Sequence, residues 1–243
     1  MRHLSVDSSS GPALLARRLR DDPGSPLITF YDDATGERVE LSAVTFDNWV
    51  AKTANLIVDG LGFGRGDTAA VVLPPHWQTL VVIAGCWAAG LGVTTTPAGD
   101  EAVLFGAEGW PVGGPPAGGS ADTVLLSLRP LGGGLVAPPG PGTLDYAADV
   151  RTYGDRFAGP PVSPAAVAID GISHAELVRR AESEPVGRVL IAYDEDGAVT
   201  ADDVVRTYLG PLRGGGSVLC RHADRAAIGR RLDQERAVIH SGL

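Results

Sequence analysis

From Thr68 to Gly99 the chain carries no Asp, Glu, Lys or Arg, although 20% of all its residues are charged. A run that long without charge must be covered by protein on nearly every side. Its punctuation says how it folds. Thr68 to Leu73 is short, branched and apolar, and Pro74-Pro75 ends it. Trp77 to Ala89 reads as an uncharged helix, stopped by Gly90 and Gly92, and Val93 to Thr96 as another buried strand. Prolines at one end, and His76, Gln78, two glycines and three threonines elsewhere, exclude a membrane span, which needs about 20 unbroken apolar residues. The preceding segment repeats apolar residues at helical spacing: Phe46, Trp49, Val50, Ala54, Ile57 and Leu61. Ser42 is placed to cap that helix by accepting an amide of its first turn. The run Gly60 to Gly66 ends it. Helix, strand, helix, strand, each apolar on most sides, is the pattern of a mostly parallel α/β sheet layered with helices.

With 243 residues there is room for one large domain or two small ones. A net charge of -9, with no basic stripe, excludes a general affinity for nucleic acid phosphates. Of the 20 basic residues only Lys52 is a lysine. Cys86 and Cys220 both lie in apolar surroundings and read as reduced thiols of a cytoplasmic protein rather than a disulfide. Met1 to Gly11 has no apolar run of the kind a signal peptide needs.

In chain order, Pro12 to Arg20 reads as a short amphipathic helix, and Leu27 to Tyr31 with Arg38 to Leu41 as a hairpin about Asp33–Gly36. Val103 to Phe105 and Thr123 to Leu128 are strand candidates. Two Gly/Pro-rich loops, 109–119 and 132–142, fit no regular element, and a soft subdivision falls near 130–142 of an otherwise single 1–243 domain. Leu144 to Tyr153 reads as a helix. Ser173-His-Ala-Glu176 has the form of a capping box. Arg188–Tyr193, Thr200–Leu212, Ser217–Cys220, Arg225–Glu235 and Val238-Ile239 then spell βαβαβ, which winds over a parallel sheet.

Specific residues carry a family resemblance. Ser42, Leu61-Gly62-Phe-Gly64-Arg-Gly66-Asp67, Leu73-Pro74, Ala89-Gly90 and Pro97 follow in the order seen in the N-terminal part of the adenylate-forming (AMP-binding) superfamily, which includes the acyl-CoA synthetases. Ser173-His-Ala-Glu-Leu177 resembles that family's "TH-x-N-L" helix start. Gly210 to Ile239 resembles its next strand, helix and "ER-x-T" sequence. Together the matches span about two thirds of the chain. More closely, the chain resembles a short actinobacterial family that shares only this N-terminal part.

The resemblance implies chemistry that can be checked against residues. Adenylation needs a flexible loop, roughly "TSGTTG-x-PKG", to hold pyrophosphate. It also needs an acid for magnesium, an Asp for the ribose, and a Lys on a mobile C-terminal domain. The loop is expected just before Ser173, where the chain reads Val162-Ser-Pro-Ala-Ala-Val-Ala-Ile-Asp-Gly-Ile172, without Thr or Lys and with one Gly. The ribose and lysine motifs would fall beyond residue 243. Lys52, on the polar face of a helix, has no Gly-rich lead.

Other constellations argue for no site. Gly60–Gly66 lacks the GxGxxG spacing and precedes a strand, the reverse of the dinucleotide order. Asp194-Glu-Asp-Gly197 lacks calcium-loop spacing. Ser173 and His174 are adjacent on a helix, where they do not face each other. His3, His76, His174, His222 and His240 show no metal-ligand spacing. No catalytic or metal residue is therefore assigned, and the cofactor-binding residues are unknown. The leading expectation is a catalytically deficient homologue, a pseudoenzyme acting as a binding or scaffolding protein through an unidentified protein partner. One alternative is an ATP- and Mg-dependent carboxylate ligase that works with a partner chain or an altered nucleotide site. The other is a self-associating structural subunit.

Overall fold

The computed structural model describes residues 9–109, 122–194 and 197–240. Two sheets share one apolar core. The smaller takes β1 (Pro26–Asp32), β2 (Glu37–Ser42), β10 (Val189–Tyr193), β11 (Ser217–Arg221) and β12 (Val238–Ile239) in the order β12-β10-β11-β1-β2. The larger takes β3 (Thr68–Val72), β4 (Gly92–Thr94), β5 (Val103–Ala107), β6 (Asp122–Leu126), β7 (Thr143–Asp145), β8 (Val167–Ile169) and β9 (Ile172–Ser173) in the order β7-β6-β5-β3-β4-β8-β9. Among the strands of the described residues the β1–β2 and β8–β9 hairpins are antiparallel and the other pairings are parallel.

The uncharged stretch explains the layering. Helix α3 (Trp77–Ala89) buries twelve of its thirteen residues and touches strands of both sheets. It packs along α2 (Ala43–Asn55), whose Phe46, Val50 and Ala54 are buried as the spacing requires. Ser42 caps α2 by accepting from the Thr45 amide (3.2 Å). The Trp87 indole donates to the Ala168 carbonyl (2.8 Å), tying α3 to β8. Helix α1 (Gly11–Asp21) lies over α2 and α3, while α5 (His174–Ala181) packs against the helical turn Val205–Leu209 that continues α6 (Ala201–Val204). α7 (Arg225–Glu235) covers a second apolar cluster on β10 and β11. No helix among the described residues is long and apolar enough to cross a membrane. Both cysteines are buried and unbridged, and burial pushes their thiols up.

Three expectations change. The helix expected over Leu144–Tyr153 begins as β7, because Thr143 to Asp145 pair with the β6 edge. Asp145 then accepts the Ala147 amide (3.0 Å), so α4 (Tyr146–Asp149) starts only there, and a 3-10 turn, Val150–Thr152, ends it. The segment before Ser173, to which the sequence reading assigns no element, forms the β8–β9 hairpin. Half of the expected capping box at Ser173 exists. Its hydroxyl accepts from the Glu176 amide (3.3 Å), but Arg179 and Arg180 take the Glu176 carboxylate. The reciprocal box forms at Thr200 and Asp203 instead. The 132–142 segment has no regular structure beyond the end of a 3-10 turn, Pro130–Gly132. Most of the 109–119 loop lies outside the described residues.

Candidate functional site

In an open parallel sheet, ligands settle outside the carboxyl ends of the strands, where connections leave toward opposite faces. Each sheet has such a point. In the larger one, β3 leads to β4 on one side, whereas β5 leads to β6 on the other. In the smaller one, β10 leads to β11, and β11 returns across it to β12. A cleft of about 520 Å³ lies between these two points. Its walls are the ends of β3 (Val72 to Pro74), β5 (Ala107, Glu108), β1 (Asp32) and β11 (Arg221, His222), with Ser127 to Pro130 following β6.

The polar groups of the cleft are mixed in sign and largely held. The Asp32 carboxylate is buried, meets His222 Nδ1 at 2.9 Å and Arg221 at 3.6 Å, and accepts the Ala34 amide at 2.9 Å. Glu108 accepts from the Val136 amide (2.7 Å) and faces Arg129 at 3.5 Å. The Ser127 hydroxyl donates to the Gly133 carbonyl, so its proton is not directed at a base. Such a set can orient a polar ligand by hydrogen bonds, with apolar walls from Val72, Leu73 and Leu128. Among its described residues no nucleophile is paired with a base. No group of His, Cys, Asp and Glu among the described residues is arranged to hold a metal ion.

Beneath the cleft, His76 is fully buried. Its Nδ1 accepts the Gln78 amide (3.1 Å) and so caps α3, which leaves the proton on Nε2, 3.9 Å from Glu37. Burial lowers its pKa. Histidine is an uncommon cap, and only its place between Pro74-Pro75 and an apolar helix could have signalled the role. Ser173 and His174 do not cooperate. Ser173 caps α5, and His174 Nδ1 accepts the Gly11 amide (3.4 Å) beside the Trp87 ring. Burial takes the His174 pKa down to about 4.

The position of the expected phosphate loop is equally specific. Ile169 pairs with Ile172, so two residues, Asp170 and Gly171, make the whole turn between β8 and β9. Both have positive φ (47° and 78°), the combination of a type I′ hairpin turn. The Asp170 carboxylate accepts from the Thr95 amide (2.8 Å), the Thr95 hydroxyl (2.9 Å) and the Thr94 hydroxyl (3.3 Å). A phosphate needs backbone amides and a cation there. A carboxylate already takes the nearest amide and repels a second anion. Lys52 is remote in role, since its ammonium donates to the Tyr153 carbonyl (2.6 Å). These residues do not fit ATP bound through its phosphates at this turn.

The arrangement is that of the N-terminal part of an acyl-CoA synthetase. An acyl-CoA synthetase of Brucella canis superposes with a TM-score of 0.72 at 12% identity, over 94% of this chain and 46% of that one. A fatty acyl-CoA synthetase of Mycobacterium tuberculosis gives 0.70 at 14%, over 96% and 49%. ATP-bound MatB of Rhodopseudomonas palustris gives 0.67 at 15%, over 92% and 48%. The chain thus spans about half the length of the solved structures it matches. No family model matches the sequence. A TIGR03089 family protein of Mycobacterium tuberculosis is 35% identical over 241 residues, covering 96% of this chain and 98% of that protein. The chain belongs to that family.

Proposed function

We propose that the protein is a catalytically deficient homologue of the adenylate-forming enzymes that acts as a binding protein. The carrying observation is the Asp170-Gly171 turn. Where the resemblance calls for a flexible phosphate-holding loop, a closed two-residue hairpin presents a carboxylate bound to Thr94 and Thr95. The frame around it is intact, and the strand-end cleft supplies a place for a ligand that is not a triphosphate. Calorimetric titration of the purified chain with Mg-ATP, and then with a stable acyl-adenylate mimic, tests the reading. No heat from a folded sample is the expected result. Micromolar binding (about 8 kcal/mol), or turnover of ATP and a carboxylate to a thioester, would overturn it and return the ligase reading.

A further inference from the structure

Away from the strand-end cleft, α1 borders an apolar groove. Its open part, about 610 Å³, runs between Pro12 and Ala16 of α1 and the proline-bearing segment 157–164. Pro12, Ala16 and Ala88 also line a narrower hollow of about 90 Å³, so the two spaces adjoin. The hollow is walled by apolar side chains, by the rings of Trp87 and Tyr208, and by one carboxylate, Asp47.

Asp47 is the unusual member. Among the described residues no hydrogen bond or ion pair reaches its carboxylate, and burial alone raises its pKa. A half-buried carboxylate without a protein donor keeps only part of its solvation. Two other buried or half-buried carboxylates show the usual arrangement: Asp33 is held by Arg231, and Asp203 by Thr200, Tyr193 and Arg206.

We propose that this groove binds an elongated apolar molecule ending in a primary amine, with its ammonium at Asp47 beside Tyr208 and Trp87. The ammonium supplies the donor and the counter-charge that Asp47 lacks. The rings offer negative faces to a cation. The apolar tail lies along the small and proline side chains of the open groove, where its burial is favourable. An alcohol would supply a donor without the charge, and a carboxylate would be repelled. None of its residues lies at the Asp170 turn or in the strand-end cleft, although Val162 to Pro164 open the segment where the phosphate loop is expected.

The test is a titration of the full chain with octylamine, 1-octanol and octanoate, followed by calorimetry and by NMR shifts of the Trp87 indole. Octylamine is expected to bind at least tenfold more tightly than either of the others. Asp47→Asn, nearly isosteric, should remove that preference while leaving octanol binding unchanged. Ala13→Trp, which fills the open groove, should weaken all of them. Equal affinity for amine and alcohol would overturn the proposal. So would a preference that survives in D47N, or no binding by a chain whose circular dichroism shows it folded.

Discussion

The α2–α3 contact holds the two sheets at a common core, and Gly85 sets how closely the helices approach. A Cβ added at Gly85 would lie 2.6 Å from Thr53 Cγ2 and 2.7 Å from Thr53 Cβ. Rotating Thr53 moves the methyl group but not its Cβ, which is fixed to α2. Rotation would also break the Thr53 hydroxyl bonds to the Trp49 carbonyl (2.8 Å) and the Tyr146 hydroxyl (2.7 Å). Gly85→Ala is therefore relieved only if the helix axes separate, by roughly 0.7 Å to bring 2.7 Å to an ordinary contact of 3.4 Å. Overpacking of this kind costs about 3 kcal/mol at its upper end. The better helix propensity of Ala offsets about 1 kcal/mol. The net loss of about 2 kcal/mol corresponds to a fall in Tm of about 4–8 °C for a chain of this size. Differential scanning calorimetry on wild type and G85A measures it. An unchanged or raised Tm would refute the close approach of α2 and α3, and with it the explanation for glycine in an otherwise apolar helix.

Three further outcomes follow from local chemistry. His174 is held neutral in the fold, its pKa lowered from 6.5 to about 4 by burial, so the unfolded chain takes the proton first. Stability from this group is complete above pH 6.5 and is lost as pH falls toward 4, a change worth about 3 kcal/mol. His76 acts in the same sense. A pH series of Tm should flatten in His174→Asn, and an unaltered slope would contradict the assignment. Asp170→Ala removes three hydrogen bonds to Thr94 and Thr95 and should cost about 1–2 kcal/mol in urea unfolding. It should not create ATP binding, because no loop is restored. Thr200→Ala should destabilise more than Ser173→Ala, whose cap is worth about 1 kcal/mol. Thr200 both accepts the Asp203 amide and donates to its carboxylate, whereas Ser173 makes only the first kind of bond.

The frame was legible because its signals are local and dense. Residues 77–89 form α3 as their lack of charge and their Pro and Gly borders require, and Phe46, Val50 and Ala54 bury the face that their spacing marks. The Ser173 box fails locally, to Arg179 and Arg180; the other differences share a cause, which is pairing with a distant partner. Thr143 to Asp145 have no strand pattern of their own and are extended only because β6, some twenty residues earlier, offers an edge. Val167 to Ile169 become a strand against β4 for the same reason. The strand-end cleft is less legible still. Asp32, Glu108, Arg129 and His222 are scattered over the chain, and nothing local marks them. They meet because the parallel pairings bring the carboxyl ends of those strands to one side. The Asp170-Gly171 turn lies between these cases. The dipeptide is a strong local hairpin signal, and the missing lysine could be counted. That the carboxylate would occupy the Thr95 amide depends on β4 lying beside β8. The sequence therefore told which phosphate-holding residues were absent, while the fold shows what stands in their place. The second observation carries the functional reading, because an occupied amide and a fixed negative charge oppose a bare anion at that turn.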